Sequence, residues 1–139
     1  MENPIPVLVV SSEFRHCNAL GDTIRQEGWK TIRASTVGEC KGVLANQDVD
    51  LVFCERDLTD GTYHDVLAIA RLRRRNARLV VMSRCPNWDQ YLEALHAGAF
   101  DLIASPCETA VIASVLNQAQ CDARMIRRQA ARGGLGLQS

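Results

Sequence analysis

The chain has 139 residues, with 16 basic and 16 acidic side chains, 47% hydrophobic residues and 5% aromatics. That length suffices for one domain with a real core, and the balanced charge and ordinary hydrophobic content exclude a disordered chain and a generally basic nucleic-acid binder. The opening MENPIPVLVVSSE has no basic start and an apolar run of only four residues, so neither a secretory signal nor a membrane span is expected, and the cytoplasm is the expected compartment. Six cysteines (Cys17, Cys40, Cys54, Cys85, Cys107 and Cys121) show no C-x-x-C spacing and, without a secretion signal, read as reduced thiols.

Along the chain, VLVV (Val7–Val10) is the first of four short apolar runs that suit strands buried on both faces. Phe14, Cys17, Leu20 and Ile24 then share one helical face, with Ser11 or Ser12 as the expected cap, Glu13 in the first turn and Gly28 placed to stop the helix. KTIRAS (Lys30–Ser35) alternates and suits an edge strand; Val37, Cys40, Val43 and Leu44 predict a second helix. LVFC (Leu51–Cys54) predicts the third strand. The loop after it, Glu55–Gly61, ends in the turn chemistry of Thr-Asp-Gly. Asp57 and Asp60 could hold a cation together with Glu13, but loop aspartates more often shape turns.

A third helix carries Val66, Leu67, Ile69, Ala70 and Leu72, and LVVMS (Leu79–Ser83) predicts the fourth strand. Tyr91, Leu92 and Leu95 mark a fourth helix ending before Gly98, with Trp88 near its start. DLIAS (Asp101–Ser105) is the fifth strand, followed from about Glu108 by a helix that carries Val111, Ile112, Val115, Leu116 and Ala119. Five strand-then-helix repeats predict an α/β protein: a three-layer α/β/α sandwich on a parallel sheet with right-handed crossovers. The domain reads as residues 1–125, with 126–139 as helix end and flexible Gly-rich tail.

Sheets of this kind collect chemistry at the carboxyl ends of their strands. Those ends hold Ser11, Ser12 and Glu13, then Glu55–Asp60, Ser83–Cys85 and Ser105–Cys107. YLEALHAGAFDLIASP (Tyr91–Pro106) resembles the fourth helix, Ala-Gly-Ala turn, fifth strand and following proline of the receiver domains of two-component response regulators. LVFCERDLTDG resembles their third strand and phosphoacceptor loop. The resemblance runs from Ile5 to Ala123. It implies a flavodoxin-like (βα)5 fold with strand order 2-1-3-4-5, and a site where an aspartate takes a phosphoryl group from a histidine kinase beside a magnesium ion. Against that pattern, Ser11 and Ser12 stand where two acidic residues are expected, Glu55 replaces the acceptor and Ser105 replaces a lysine. Ser83 matches the hydroxyl position, and Leu102 occupies an aromatic switch position.

These changes bear on chemistry. Magnesium requires hard, mostly anionic oxygen ligands, which two serines do not supply. Without the ion and the lysine, nothing neutralises charge building on a transferring phosphoryl group. No cofactor and no enzymatic activity are therefore expected of this degenerate pocket. Glu55 is read either as a solvated acid or as a fixed imitation of an aspartyl phosphate, accepting bonds from Ser83 and Arg84.

Other residues read more plainly. Cys54, Cys85 and Cys107 are expected as fillers rather than as a metal or redox set. His16, His64 and His96 have no i, i+4 partner. The clusters Arg71–Arg78 and Arg124, Arg127, Arg128 and Arg132 suit a solvated or partner-facing surface. The resemblance implies a partner face made by the fourth helix, fifth strand and fifth helix, here with Trp88, Tyr91 and Leu95. Its occupant would be a histidine kinase, another signalling protein or a second copy of the chain. The resulting expectation is a phosphorylation-independent interaction module of a two-component pathway. The alternatives are a working phosphoacceptor on Glu55 or Asp57, and a nucleic-acid module built on the arginines.

Overall fold

The structure, a computed structural model, describes residues 6–13, 17–74 and 77–120. The expectations for Phe14, His16, Cys121, the second arginine cluster and the tail lie outside the described residues. In chain order the elements are β1 (Pro6–Val10), α1 (Asn18–Gln26), β2 (Lys30–Ala34), α2 (Val37–Asn46), β3 (Leu51–Glu55), β4 (Asp57–Leu58), β5 (Gly61–Thr62), α3 (Tyr63–Arg73), β6 (Arg78–Ser83), α4 (Trp88–Ala97) and β7 (Asp101–Ala104). A last helix, α5, covers residues 109–120.

The main sheet is parallel throughout, in the order β2-β1-β3-β6-β7, which is 2-1-3-4-5 when its five strands are counted along the chain. Because side chains alternate across a strand, the apolar runs feed two cores at once. Leu8, Val10, Val52, Cys54, Leu79 and Val81 pack on the side of α2 and α3. Val7, Val9, Leu51, Phe53, Val80 and Met82 pack on the side of α1 and α5. The alternating stretch at Lys30 does form the edge strand, and of its residues only Ala34 is buried. The same alternation sends Glu55, last in β3, toward the α1 and α5 side, beside Met82 of β6.

Helix ends follow local chemistry. Thr36 caps α2 by accepting from the Glu39 backbone N–H at 3.0 Å, and Thr62 with Asp65 forms a capping box on α3. Gly98 closes α4 at φ 103°, where its N–H and that of Ala99 donate to Leu95 and Ala94 at 3.0 and 2.9 Å. Two expectations are corrected. First, α1 begins at Asn18, after Cys17 and without a side-chain cap, so Glu13 lies outside its first turn; the Ser11 Oγ instead accepts from the Glu13 N–H at 3.0 Å. Second, Leu72 points out at 86% exposure, because the buried stripe of α3 is Tyr63, Val66, Leu67 and Ala70. Helix α4 buries only Ala94, and its Tyr91, Leu92 and Leu95 face outward or sit half-covered.

Three arginines of the first cluster are tied into the fold. Arg71 donates to the Ala77 and Gly98 carbonyls at 3.1 and 2.6 Å, Arg74 pairs with Asp48 and Asp50, and Arg78 lies over the Phe100 ring. Among the described residues, no helix is long and apolar enough to cross a membrane.

Candidate functional site

At the carboxyl ends of β1, β3 and β6 the strands open into a cleft of about 440 Å³. Ser12, Glu13, Glu55, Ser83, Arg84 and Ser105 are among its lining residues, so the topology brings together the positions singled out in the sequence. Ser11 is fully buried just below: its N–H donates to the Ala34 carbonyl and its hydroxyl oxygen is taken by Glu13. The exposed Ser12 hydroxyl donates to the Ser35 carbonyl at 3.2 Å. Ser105 is 7% exposed, and its N–H donates to the Ser83 carbonyl at 2.8 Å.

Glu55 is half-buried, and its Oε1 is fully buried with no hydrogen-bond partner. The expectation that Ser83 donates to it is overturned. The Ser83 hydroxyl, on a residue only 4% exposed, has a single proton and donates it to Oε1 of Gln90 at 2.6 Å. The reason is position: Gln90 sits in the first turn of α4, over the end of β6. Arg84 lines the same cleft but does not satisfy the buried Glu55 oxygen.

The loop after β3 is more ordered than a turn signal alone implies. Asp57–Leu58 pairs antiparallel with Gly61–Thr62, closing a small hairpin over Thr59 and Asp60. Arg56 pairs with Asp57 at 3.2 Å. Asp60 reaches away from the cleft to α2, accepting from the Val37 and Gly38 N–H groups at 2.8 and 3.1 Å. The Val37 N–H above all holds its carboxyl below the ordinary carboxylate range, against the opposing effect of desolvation and with help from the Gly38 N–H. A cation held jointly by Glu13, Asp57 and Asp60 thus loses Asp60 to the α2 N-terminus. Among the described residues, no three His, Cys, Asp or Glu side chains cluster to hold a metal ion. Gly61 is required by close approach, because a Cβ there would meet the Asp65 carboxylate that caps α3.

The cysteines at this edge do not meet. Cys54 is buried on the α2 and α3 side, Cys107 packs toward α1 and α5, and Cys85 is exposed. Burial pushes the Cys54 thiol well above its ordinary range and that of Cys107 up to about 12, as befits fillers.

Beside the cleft, Trp88 is 69% exposed and stacks on Tyr91 with ring centroids 5.4 Å apart. Both line a shallow groove with Pro86, Asn87 and Leu102, and Leu92 and Leu95 extend the apolar surface along α4. Two contacts had no reading in the sequence. One is Gln90 on Ser83. The other is Glu93, which accepts from the Tyr63 hydroxyl at 3.2 Å and lies 3.1 Å from Nε2 of His64. The only available signal was the i, i+3 spacing of Gln90 and Glu93, which puts them on one side of α4.

Solved structures match this architecture closely. The signal receiver domain of an HD domain-containing protein from Pseudomonas fluorescens Pf-5 superposes with a TM-score of 0.80 at 17% identity, covering 92% of this chain and 95% of that one. The chain has the response-regulator receiver fold. A second receiver-fold neighbour, a CheY-like receiver domain protein from Methanospirillum hungatei JF-1, gives a TM-score of 0.76 at 17% identity over 88% of this chain and 98% of its own. Among curated proteins, the chain is similar to the alginate biosynthesis transcriptional regulatory protein AlgB. It is 29% identical over 132 residues to the Pseudomonas aeruginosa protein, covering 91% of this chain, and 28% identical over 112 residues to that of Pseudomonas putida, covering 76%. The receiver-fold chain spans only 28% and 24% of the length of these two relatives. No protein-family model matches it.

Proposed function

We propose that the chain is a signalling module of a two-component pathway that works without phosphorylation and acts by binding a protein partner. The observation that carries this reading is the cleft's donor set. At the position of the paired acids, Ser11 is buried with its hydroxyl oxygen committed to a backbone N–H, and Ser12 is committed to a carbonyl. At the position of the lysine stands the short, uncharged Ser105. Such a set does not fit a magnesium ion, which needs anionic oxygens in octahedral array. Nor does it supply the positive charge that phosphoryl transfer demands. The Ser83 hydroxyl, which would greet a phosphoryl group, is engaged by Gln90. Glu55 then holds the acceptor position as a permanent carboxyl side chain, its Oε1 buried, rather than as one that gains and loses a phosphoryl group.

The partner surface in this reading is the exposed face of Trp88, Tyr91 and Leu95 beside Leu102. An exposed tryptophan stacked on a tyrosine is the kind of anchor that dominates protein interfaces. The alternative nucleic-acid reading draws little support, since the arginines at 71, 74 and 78 are tied to the fold.

The test is an amide-proton NMR titration with magnesium and then beryllofluoride. The expected outcome is no movement of Glu55, Ser83 or Ser105 at millimolar ligand. Concerted shifts of those three reaching Leu102 and α4 would replace this reading with that of a working phosphoacceptor.

A further inference from the structure

The cleft at the carboxyl edge of the sheet contains an acceptor that the described side chains leave without a donor. Glu55 is half-buried on its wall, and Oε1 is cut off from water with no hydrogen-bond partner. A carboxyl oxygen in that position is unfavourable, because the water it gave up has not been replaced. The polar side chains around it are engaged elsewhere. The Ser83 hydroxyl donates to Gln90 at 2.6 Å, the Ser12 hydroxyl to the Ser35 carbonyl at 3.2 Å, and Arg56 to Asp57 at 3.2 Å. Ser105, only 7% exposed, lines the same space and ends in a single short hydroxyl.

Size, lining and charge together describe the group that would answer Glu55. The cleft encloses about 440 Å³, within the range of small-molecule sites, and sets the apolar side chains of Met82 and Leu58 among its hydroxyls. Its walls carry three acids, Glu13, Glu55 and Asp57, against two bases, Arg56 and Arg84, and the Arg56–Asp57 pair is already closed. The balance favours a cation.

The kind of cation follows from the donors it must bring. A divalent metal ion needs several oxygens in a fixed array, and among the described residues no group of three His, Cys, Asp or Glu side chains is placed to hold one. A guanidinium is a planar fork suited to two acceptors side by side, whereas one oxygen of Glu55 lacks a donor. A primary ammonium carries a compact charge with three donors, and an attached carbon chain suits the apolar part of the wall.

We propose that the cleft is a binding site for a primary organic ammonium: its charged nitrogen donates to the Glu55 carboxyl and to the Ser105 hydroxyl, and its carbon chain lies along Met82 and Leu58. The last torsion of a glutamate side chain is broad, so the carboxyl can turn Oε1 toward the ligand without leaving its other rotamers. The ligand supplies the donor and the positive charge that the short side chain at residue 105 does not. The inference goes beyond the proposed function, which assigns the cleft no ligand.

The test is an amide-proton NMR titration of the intact chain with n-butylammonium in an amine-free buffer. Two controls run beside it: 1-butanol, with the same carbon chain and no charge, and tetramethylammonium, with the charge and no N–H. Saturable shifts of the Glu55 and Ser105 amides are expected at millimolar n-butylammonium, with each control weaker by about tenfold or more, the scale of one lost charge-assisted hydrogen bond. Glu55→Gln keeps the shape without the charge and is expected to weaken n-butylammonium by about tenfold or more. Ser105→Lys puts an ammonium on the chain itself; it is expected to shift the Glu55 amide with no ligand present and to abolish the response to n-butylammonium. The proposal is overturned if n-butylammonium gives no saturable shift, if either control binds as tightly, or if either variant binds like the parent. Should Glu55→Gln fail to fold, Ser105→Lys interrogates the same site by filling it. Failure of this titration leaves the proposed function standing, because that reading rests on the response to magnesium and beryllofluoride.

Discussion

Asp60 lies in the loop where a receiver fold carries its chemistry, yet its carboxylate is given to the backbone of α2. With its folded pKa held below the ordinary 3.8, its contribution to stability is present above that value and is lost as the pH falls through the lower folded one. The difference in melting temperature between the parent and Asp60→Ala should therefore be widest near neutrality and close at strongly acid pH. Paired thermal melts across that range check it; a gap that does not change with pH would show that the carboxylate's charge is not what braces α2. At this scale the sequence was partly legible. Glu55 stands out because an apolar run ends on an acid, and Asp-Gly is turn chemistry wherever it occurs. The bond from Ser83 to Gln90 was not legible, because a serine at a strand end has no preferred partner until the fold decides which helix turn lies above it.

Among the elements, four apolar runs and one alternating stretch located all five strands of the main sheet, and helical spacing located the helices between them, with α1 set too early. Periodicity counts apolar residues and is blind to which face a helix turns inward: Leu72 fits the apolar spacing of α3 but lies on its outer surface. The β4–β5 hairpin was invisible because two-residue strands carry no alternation. Two glycines separate backbone need from incidental placement. Gly98 ends α4 at φ 103°, a conformation that costs a residue with a Cβ roughly 1–2 kcal/mol, whereas Gly42 lies exposed within α2 with open space around its missing Cβ. Gly98→Ala should thus destabilise the domain by about 1–2 kcal/mol. Gly42→Ala should stabilise it by about 0.5–1 kcal/mol, through helix propensity and a less flexible unfolded chain. Urea denaturation of the two variants decides between them, and the same sign for both would mean that φ is not the discriminating factor.

For the molecule as a whole, the decisive fact is that β1, β3 and β6 each give alternate side chains to the two cores, so neither face can loosen without disturbing strands that the other face needs. Phe53, fully buried on the α1 and α5 side, sits one residue from Val52 and Cys54 on the opposite side. Phe53→Leu keeps the residue apolar and should cost about 1–1.5 kcal/mol, a noticeable part of a stability that is typically 5–15 kcal/mol. The loss should appear equally on both faces. Emission from Trp29, in a Trp88→Phe background, reads the face that contains Phe53, and a fluorinated Tyr63 reads the other. In one cooperative unit the two probes keep a common unfolding midpoint, and Phe53→Leu moves both by the same amount. If only the Trp29 transition moved, the two layers would be separable units. A shared midpoint instead makes the sheet the common frame on which the cleft at its carboxyl edge is built.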